Sequence, residues 1–177
     1  SQLIFLRFED PTPGIWTLDV FCSNRINGEF HAWLPITGFL SPDVIFLLPN
    51  PFTTITTPGN SINVITVSAY SAYTNSLFLN SSRGYSRNGL VKPDFAAPGV
   101  DVTRSGTSAA AALTAGSAAL LMEWGLKQKV PLYLSTYEMK NYMIRGADRR
   151  QEYAYPNREW GYGTLNLYQV FSAISTT

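Results

Sequence analysis

The chain has 177 residues, with thirteen Lys and Arg against twelve Asp and Glu for a net charge of +1, and charged residues make up 14% of it. The length suits one globular domain, the lack of a basic surplus speaks against nucleic-acid or anionic-membrane partners, and 45% hydrophobic residues exclude a disordered chain. Cys22 and His31 are each alone in their type, so no internal disulfide and no cysteine-rich metal cluster can form, and no metal or cofactor is expected.

Ser1 is not followed by the basic and apolar regions of a signal peptide. The chain opens directly into an expected strand over residues 3–8, as though cut there. After the Pro13-Gly14 turn, Trp16, Leu18 and Val20 share one face and Thr17 and Asp19 the other, the period-two spacing of a strand. Asn27-Gly28 is a hairpin signal, and beyond it Phe30, Ala32 and Leu34 alternate with Glu29, His31 and Trp33 until Pro35. Residues 1–40 therefore read as the end of an antiparallel β-sandwich, since an isolated hairpin is marginal at best.

From Ser41 the texture changes to short apolar runs broken by Pro and Gly. The run from Val64 to Val67 has the look of a buried strand in an α/β sheet. Residues 70–89 read as an irregular connection, and the two prolines and the glycine between Lys92 and Gly99 argue against regular structure there. An Ala-rich helix is expected over residues 108–124, stopped by Gly125, and its apolar character on all sides predicts burial in a core. No run of eighteen apolar residues without polar interruption is present, so a membrane span is not expected. Ser135 and Glu138 form a capping-box pattern opening a helix over 136–145 with Gly146 beyond it, and a last helix is expected over 167–174.

Gly106-Thr107-Ser108 is the stretch that could carry chemistry. A serine where a turn enters a helix sits beside unpaired backbone N–H groups and the positive end of the helix dipole, both suited to an oxyanion. Taken alone, the tripeptide is better explained as an ordinary N-cap, because serine is among the favoured caps. Trp16, Phe21, Phe30 and Trp33 could stack on a sugar, as in a carbohydrate-binding module, but aromatics at strand spacing more often fill a core.

The surroundings of Ser108 reverse the N-cap reading. Lys92-Pro-Asp-Phe-Ala-Ala-Pro-Gly99, then Gly106-Thr-Ser-Ala-Ala-Ala-Ala-Leu-Thr-Ala-Gly116, resembles the active-site serine region of the subtilisin-like (subtilase) serine peptidases. Thr56-Thr-Pro-Gly-Asn-Ser-Ile-Asn-Val-Ile-Thr-Val-Ser-Ala69 and Gly161-Tyr-Gly-Thr-Leu-Asn166 are similar to flanking segments of the same family, so the resemblance covers residues 41–177. It implies an α/β fold with a parallel sheet, Ser108 as the catalytic nucleophile, and the Ser108 backbone N–H as one oxyanion donor. In subtilisin itself the loss of one such donor costs about 2.7–4 kcal/mol in the transition state. Gly14-Ile-Trp-Thr-Leu, Phe30-His-Ala-Trp-Leu-Pro35 and Pro156-Asn-Arg-Glu-Trp-Gly-Tyr-Gly163 resemble more narrowly the clostridial germination proteases, which carry a jelly-roll insertion. By that resemblance residues 1–40 are the end of the insertion, and the setting is extracytoplasmic or spore-associated.

The sequence also departs from the family. Ala112 and Leu113 stand where Pro-His is common, and the link from Gly99 to Gly106 is short. The triad runs Asp, His, Ser along subtilisin, and neither upstream motif is present. His31 lacks the Gly-Thr that follows the family's catalytic histidine and reads as a partly exposed strand residue, while Asp94 and Asp101 read as structural. The expectation is thus a serine endopeptidase acting on peptide or protein substrates, completed by an N-terminal segment of the same protease, as a second chain, that carries the Asp, the His and an oxyanion Asn. A catalytically inactive scaffold of the same fold is the alternative.

Overall fold

A computed structural model of the chain describes residues 3–21, 30–35, 38–103, 105–127 and 134–175. The chain divides into two compact units, Ser1–Leu47 and Leu48–Thr177.

The described residues of the first unit contain no strand. This corrects the strands expected over 3–8, at Trp16 to Val20 and from Phe30 to Leu34; the Asn27-Gly28 turn lies outside the described residues. Trp16, Phe21, Phe30 and Trp33 are exposed and not core. The physical reason is that alternation marks which face a strand would bury but does not supply the neighbour that pairs its backbone. Local bonds are what remain, such as the Trp16 Nε1–H donating to the Thr12 carbonyl at 3.0 Å.

The second unit is built on two parallel strands, β1 (Val67–Ser71) and β2 (Phe95–Val100). Val67 lies opposite Phe95 and Ala69 opposite Ala97, with a bulge between Tyr70 and Ser71. β1 starts later than the apolar run from Val64 because side chains satisfy the backbone first: the Thr66 N–H donates to the Asp94 carboxylate at 2.7 Å.

β2 forms where the prolines argued against regular structure. Phe95, Ala96 and Ala97 are fully buried, and on the side away from β1 the Ala96 N–H donates to the Gly163 carbonyl while the Leu165 N–H donates back to the Ala96 carbonyl, both at 2.8 Å. Buried ladder bonds on both sides of Ala96 outweigh the one N–H that Pro98 lacks near the strand's end.

Helix α1 (Thr107–Lys127) follows β2 and packs on both strands. Its buried stripe is Ala110, Thr114, Ser117, Leu121 and Gly125, spaced three and four apart, and it runs through the glycine expected to stop it. The stripe's hydroxyls are satisfied inside the helix, Thr114 Oγ1 donating to the Ala110 carbonyl at 2.8 Å and Ser117 Oγ to that of Leu113 at 3.0 Å, a local bond open to Ser and Thr in helices. The other faces, among them Ala112, Leu113, Ala115 and Met122, are exposed. By length and composition α1 could also cross a membrane; here its stripe packs as a core helix. The expectation of burial all round is therefore met on one stripe only.

Helices α2 (Thr136–Arg145) and α3 (Leu167–Ser175) pack on each other. α2 opens on the capping box read in the sequence: the Ser135 hydroxyl accepts from the Glu138 N–H, and the Glu138 carboxylate accepts from the Ser135 N–H at 2.8 Å. Phe95, Leu121, Met143 and Val170, one from each of β2, α1, α2 and α3, are all fully buried and form the core. Truncating a side chain of this kind to alanine typically costs about 2–5 kcal/mol.

Candidate functional site

Ser108 is the second residue of α1 and is exposed. The turn that delivers it is narrow. Gly106 N–H donates to the Gly99 carbonyl at 2.9 Å, and Val100 bridges Ser105 in antiparallel fashion. The short link is thus closed by its own bonds, and an Asx turn within it has Asp101 Oδ1 accepting from the Thr103 N–H at 2.7 Å.

Two glycines make this geometry possible. Gly106 has φ +144°, a conformation that a side chain rarely permits. A Cβ on Gly99 would lie 2.6 Å from the Ala69 Cβ and 2.7 Å from the Gly106 carbonyl oxygen. At the start of α1 the Ala109 N–H donates back to the Gly106 carbonyl at 3.2 Å, and the Ser108 N–H, one residue earlier, lies at the positive end of the helix dipole, where a ligand oxygen is favoured.

Beside Ser108 lies an open cleft of about 320 Å³. Thr107, Ser108 and Ala111 form one side, and residues 58–59 and 64–67 the other. Among the described residues no charged side chain lines it, so what these offer a ligand is mostly apolar contact beside a hydroxyl.

Behind the second wall sits a charge cluster that sequence reasoning missed. Lys92, Asp94 and Lys140 are 1%, 4% and 7% exposed. Lys92 Nζ pairs with Asp94 Oδ2 at 2.8 Å and Lys140 Nζ with Asp94 Oδ1 at 3.6 Å. Burial pulls the Lys92 ammonium below its ordinary range; the bond to Asp94 and its charge oppose this, and the Lys140 charge adds to the lowering. The signal for Lys140 was its place in α2: it lies three residues before the fully buried Met143 and so on the inner face of that helix.

The other candidates fall elsewhere. Asp94 is structural as expected, although its role is the buried ion pair as well as the backbone bond to Thr66. Asp101 is exposed in its Asx turn. His31 belongs to the first unit, is exposed, and stacks on Trp33 with ring centroids 5.4 Å apart; it is not in a strand. Among the described residues, no three His, Cys, Asp or Glu side chains group as metal ligands would.

The subtilase family matches over residues 48–163. The solved structure of the Clostridium perfringens CspB protease is 35% identical in sequence and superposes with a TM-score of 0.68, covering 74% of this chain. This chain spans 31% of that protease's length. No curated protein sequence matches.

Proposed function

The chain belongs to the subtilase family, and from that premise we propose that it is the nucleophile-bearing part of a subtilisin-like serine endopeptidase. Ser108 Oγ attacks the scissile carbonyl of a peptide or protein substrate, and the Ser108 N–H donates to the oxygen that gains negative charge. One observation carries the reading: an exposed serine on the first turn of α1, held beside an open cleft.

A serine hydroxyl is a weak nucleophile unless a base takes its proton. Residues 48–177 contain no histidine. The general base, the carboxylate that orients it and the second oxyanion donor are assigned to an N-terminal segment of the same protease. In the full site the proton passes from Ser108 Oγ to the histidine as the acyl bond forms, and then to the leaving amine. The first unit is assigned to the end of a jelly-roll-like insertion whose remaining strands would pair with it. A role on precursor proteins in spore germination, in a spore-associated or extracytoplasmic setting, is assigned from the resemblance of Gly14-Ile-Trp-Thr-Leu and Pro156-Asn-Arg-Glu-Trp-Gly-Tyr-Gly163 to the clostridial germination proteases.

The test is covalent labelling of the full-length protease with a fluorophosphonate. Modification at Ser108, abolished by Ser108→Ala, is the expected result. A folded full-length protein whose Ser108 stays unmodified overturns the peptidase reading in favour of an inactive scaffold.

A further inference from the structure

The buried charge cluster is not needed to explain the nucleophile, and it is unbalanced, with two ammonium groups against one carboxylate. Its surplus charge is taken up by backbone carbonyls of one loop. Lys140 Nζ donates to the Ile62 carbonyl at 2.5 Å and to that of Val64 at 3.4 Å. Lys92 Nζ donates to the Val64 carbonyl at 2.8 Å and to Thr66 Oγ1 at 3.2 Å. The Thr66 hydroxyl in turn donates to the Gly59 carbonyl at 2.6 Å.

Every carbonyl held in this way lies between Gly59 and Val64, a loop whose two end residues line the cleft opposite Ser108. It forms no strand of its own, so these side-chain bonds replace the ladder that would otherwise hold it. Lys140 reaches it from α2 across 78 residues of sequence.

We propose that Lys140 is a positioning residue for substrate: its ammonium, with that of Lys92, holds the Gly59–Val64 loop so that the cleft wall at its two ends keeps the spacing that accepts an uncharged peptide side chain beside Ser108. The proposal rests on the assignment of the cleft as the substrate site, but not on turnover. Lys140 touches neither the hydroxyl nor the oxyanion donor, so it acts on binding.

The test uses the full-length protease carrying Ser108→Ala, so that binding is read without catalysis. The probe is an N-acetylated alanine-rich peptide with leucine as its one large residue, followed by fluorescence anisotropy. Lys140→Met is expected to weaken binding about tenfold, the loss of one or two hydrogen bonds from a charged donor. Lys140→Arg, which can still donate to both carbonyls, is expected to restore most of it. Hydrogen exchange of the amides from Ile62 to Thr66 is expected to speed up in Lys140→Met while that of α1 is unchanged.

Unchanged peptide binding in Lys140→Met, an arginine variant as impaired as the methionine one, or no binding by the parent Ser108→Ala protein each overturns the proposal. Loss of protection throughout α1 also overturns it, since Lys140 would then support the fold at large. Failure of the peptidase reading is seen separately, as unlabelled Ser108 in the wild-type protein.

Discussion

The Gly106 N–H donates to the carbonyl of Gly99 at 2.9 Å, and the two glycines together set where α1 begins. Gly99 lies where β1, β2 and α1 meet: a Cβ there would press on Ala69 and Ala110 as well as on the Gly106 carbonyl. Ser108 is placed by a contact that no longer side chain can make.

Substitution of this pair separates crowding from strain. Gly99→Ala is expected to destabilise by about 3 kcal/mol, at the upper end of overpacking costs, because one of the atoms it meets is a backbone oxygen. Gly106→Ala meets no atom within 4 Å and is expected to cost about 1–2 kcal/mol through its backbone angle alone. Urea unfolding followed by circular dichroism checks the order; a Gly106→Ala penalty above that of Gly99→Ala would reject it.

Asp94→Asn leaves two buried ammonium groups without a counter-charge. The expected loss is about 3–5 kcal/mol, and adding Lys92→Met should recover part of it, since the two sites share a bond and cannot be additive. The sign of the pH effect follows from Lys92. Its folded pKa lies below the ordinary 10.5, so between the two values the unfolded chain binds more protons and stability rises with pH. With Asp94 gone the ammonium is harder to keep, and the penalty of Asp94→Asn should shrink as pH is raised towards 10.5. Urea midpoints from neutral to alkaline pH measure both effects.

Tyr70, on β1, packs its ring against Trp160 at 5.7 Å. Burial raises its pKa above 10.0; the Arg150 charge opposes this and the Asp148 charge adds to it. A raised phenol pKa means that the folded state keeps its proton longer, so stability is complete below pH 10 and falls as pH rises through the folded value. The ultraviolet difference titration between wild type and Tyr70→Phe should show one phenolate appearing above pH 10. A midpoint at or below 10 would contradict the burial argument.

Ser135→Ala removes the Ncap side chain of α2. The expected cost is about 1 kcal/mol, with faster hydrogen exchange at Glu138, whose N–H the serine accepts. Because α2 carries Lys140, the same variant should loosen the amides from Ile62 to Val64 by less than Lys140→Met does. Native-state hydrogen exchange resolves the two.

The sequence by itself determined what is settled within a few residues along the chain. The capping box at Ser135 and Glu138 started α2 where the pattern placed it, and the glycine and small residues around Ser108 marked a turn into a helix, because caps and turns are built from neighbours. The family was legible for the same reason, since its serine region is one continuous stretch.

Only the tertiary structure decided which apolar faces are covered and which carbonyls are held. Trp16 and Phe30 alternate like strand residues yet lie exposed; β2 forms through Pro98 because buried ladder bonds outweigh one missing N–H; and α1, apolar all round, buries a single stripe. Lys140 reads as an ordinary helix lysine until folding brings it to Ile62 and Asp94. Pairing and desolvation depend on residues far apart in the chain, and no local pattern states which of them will meet.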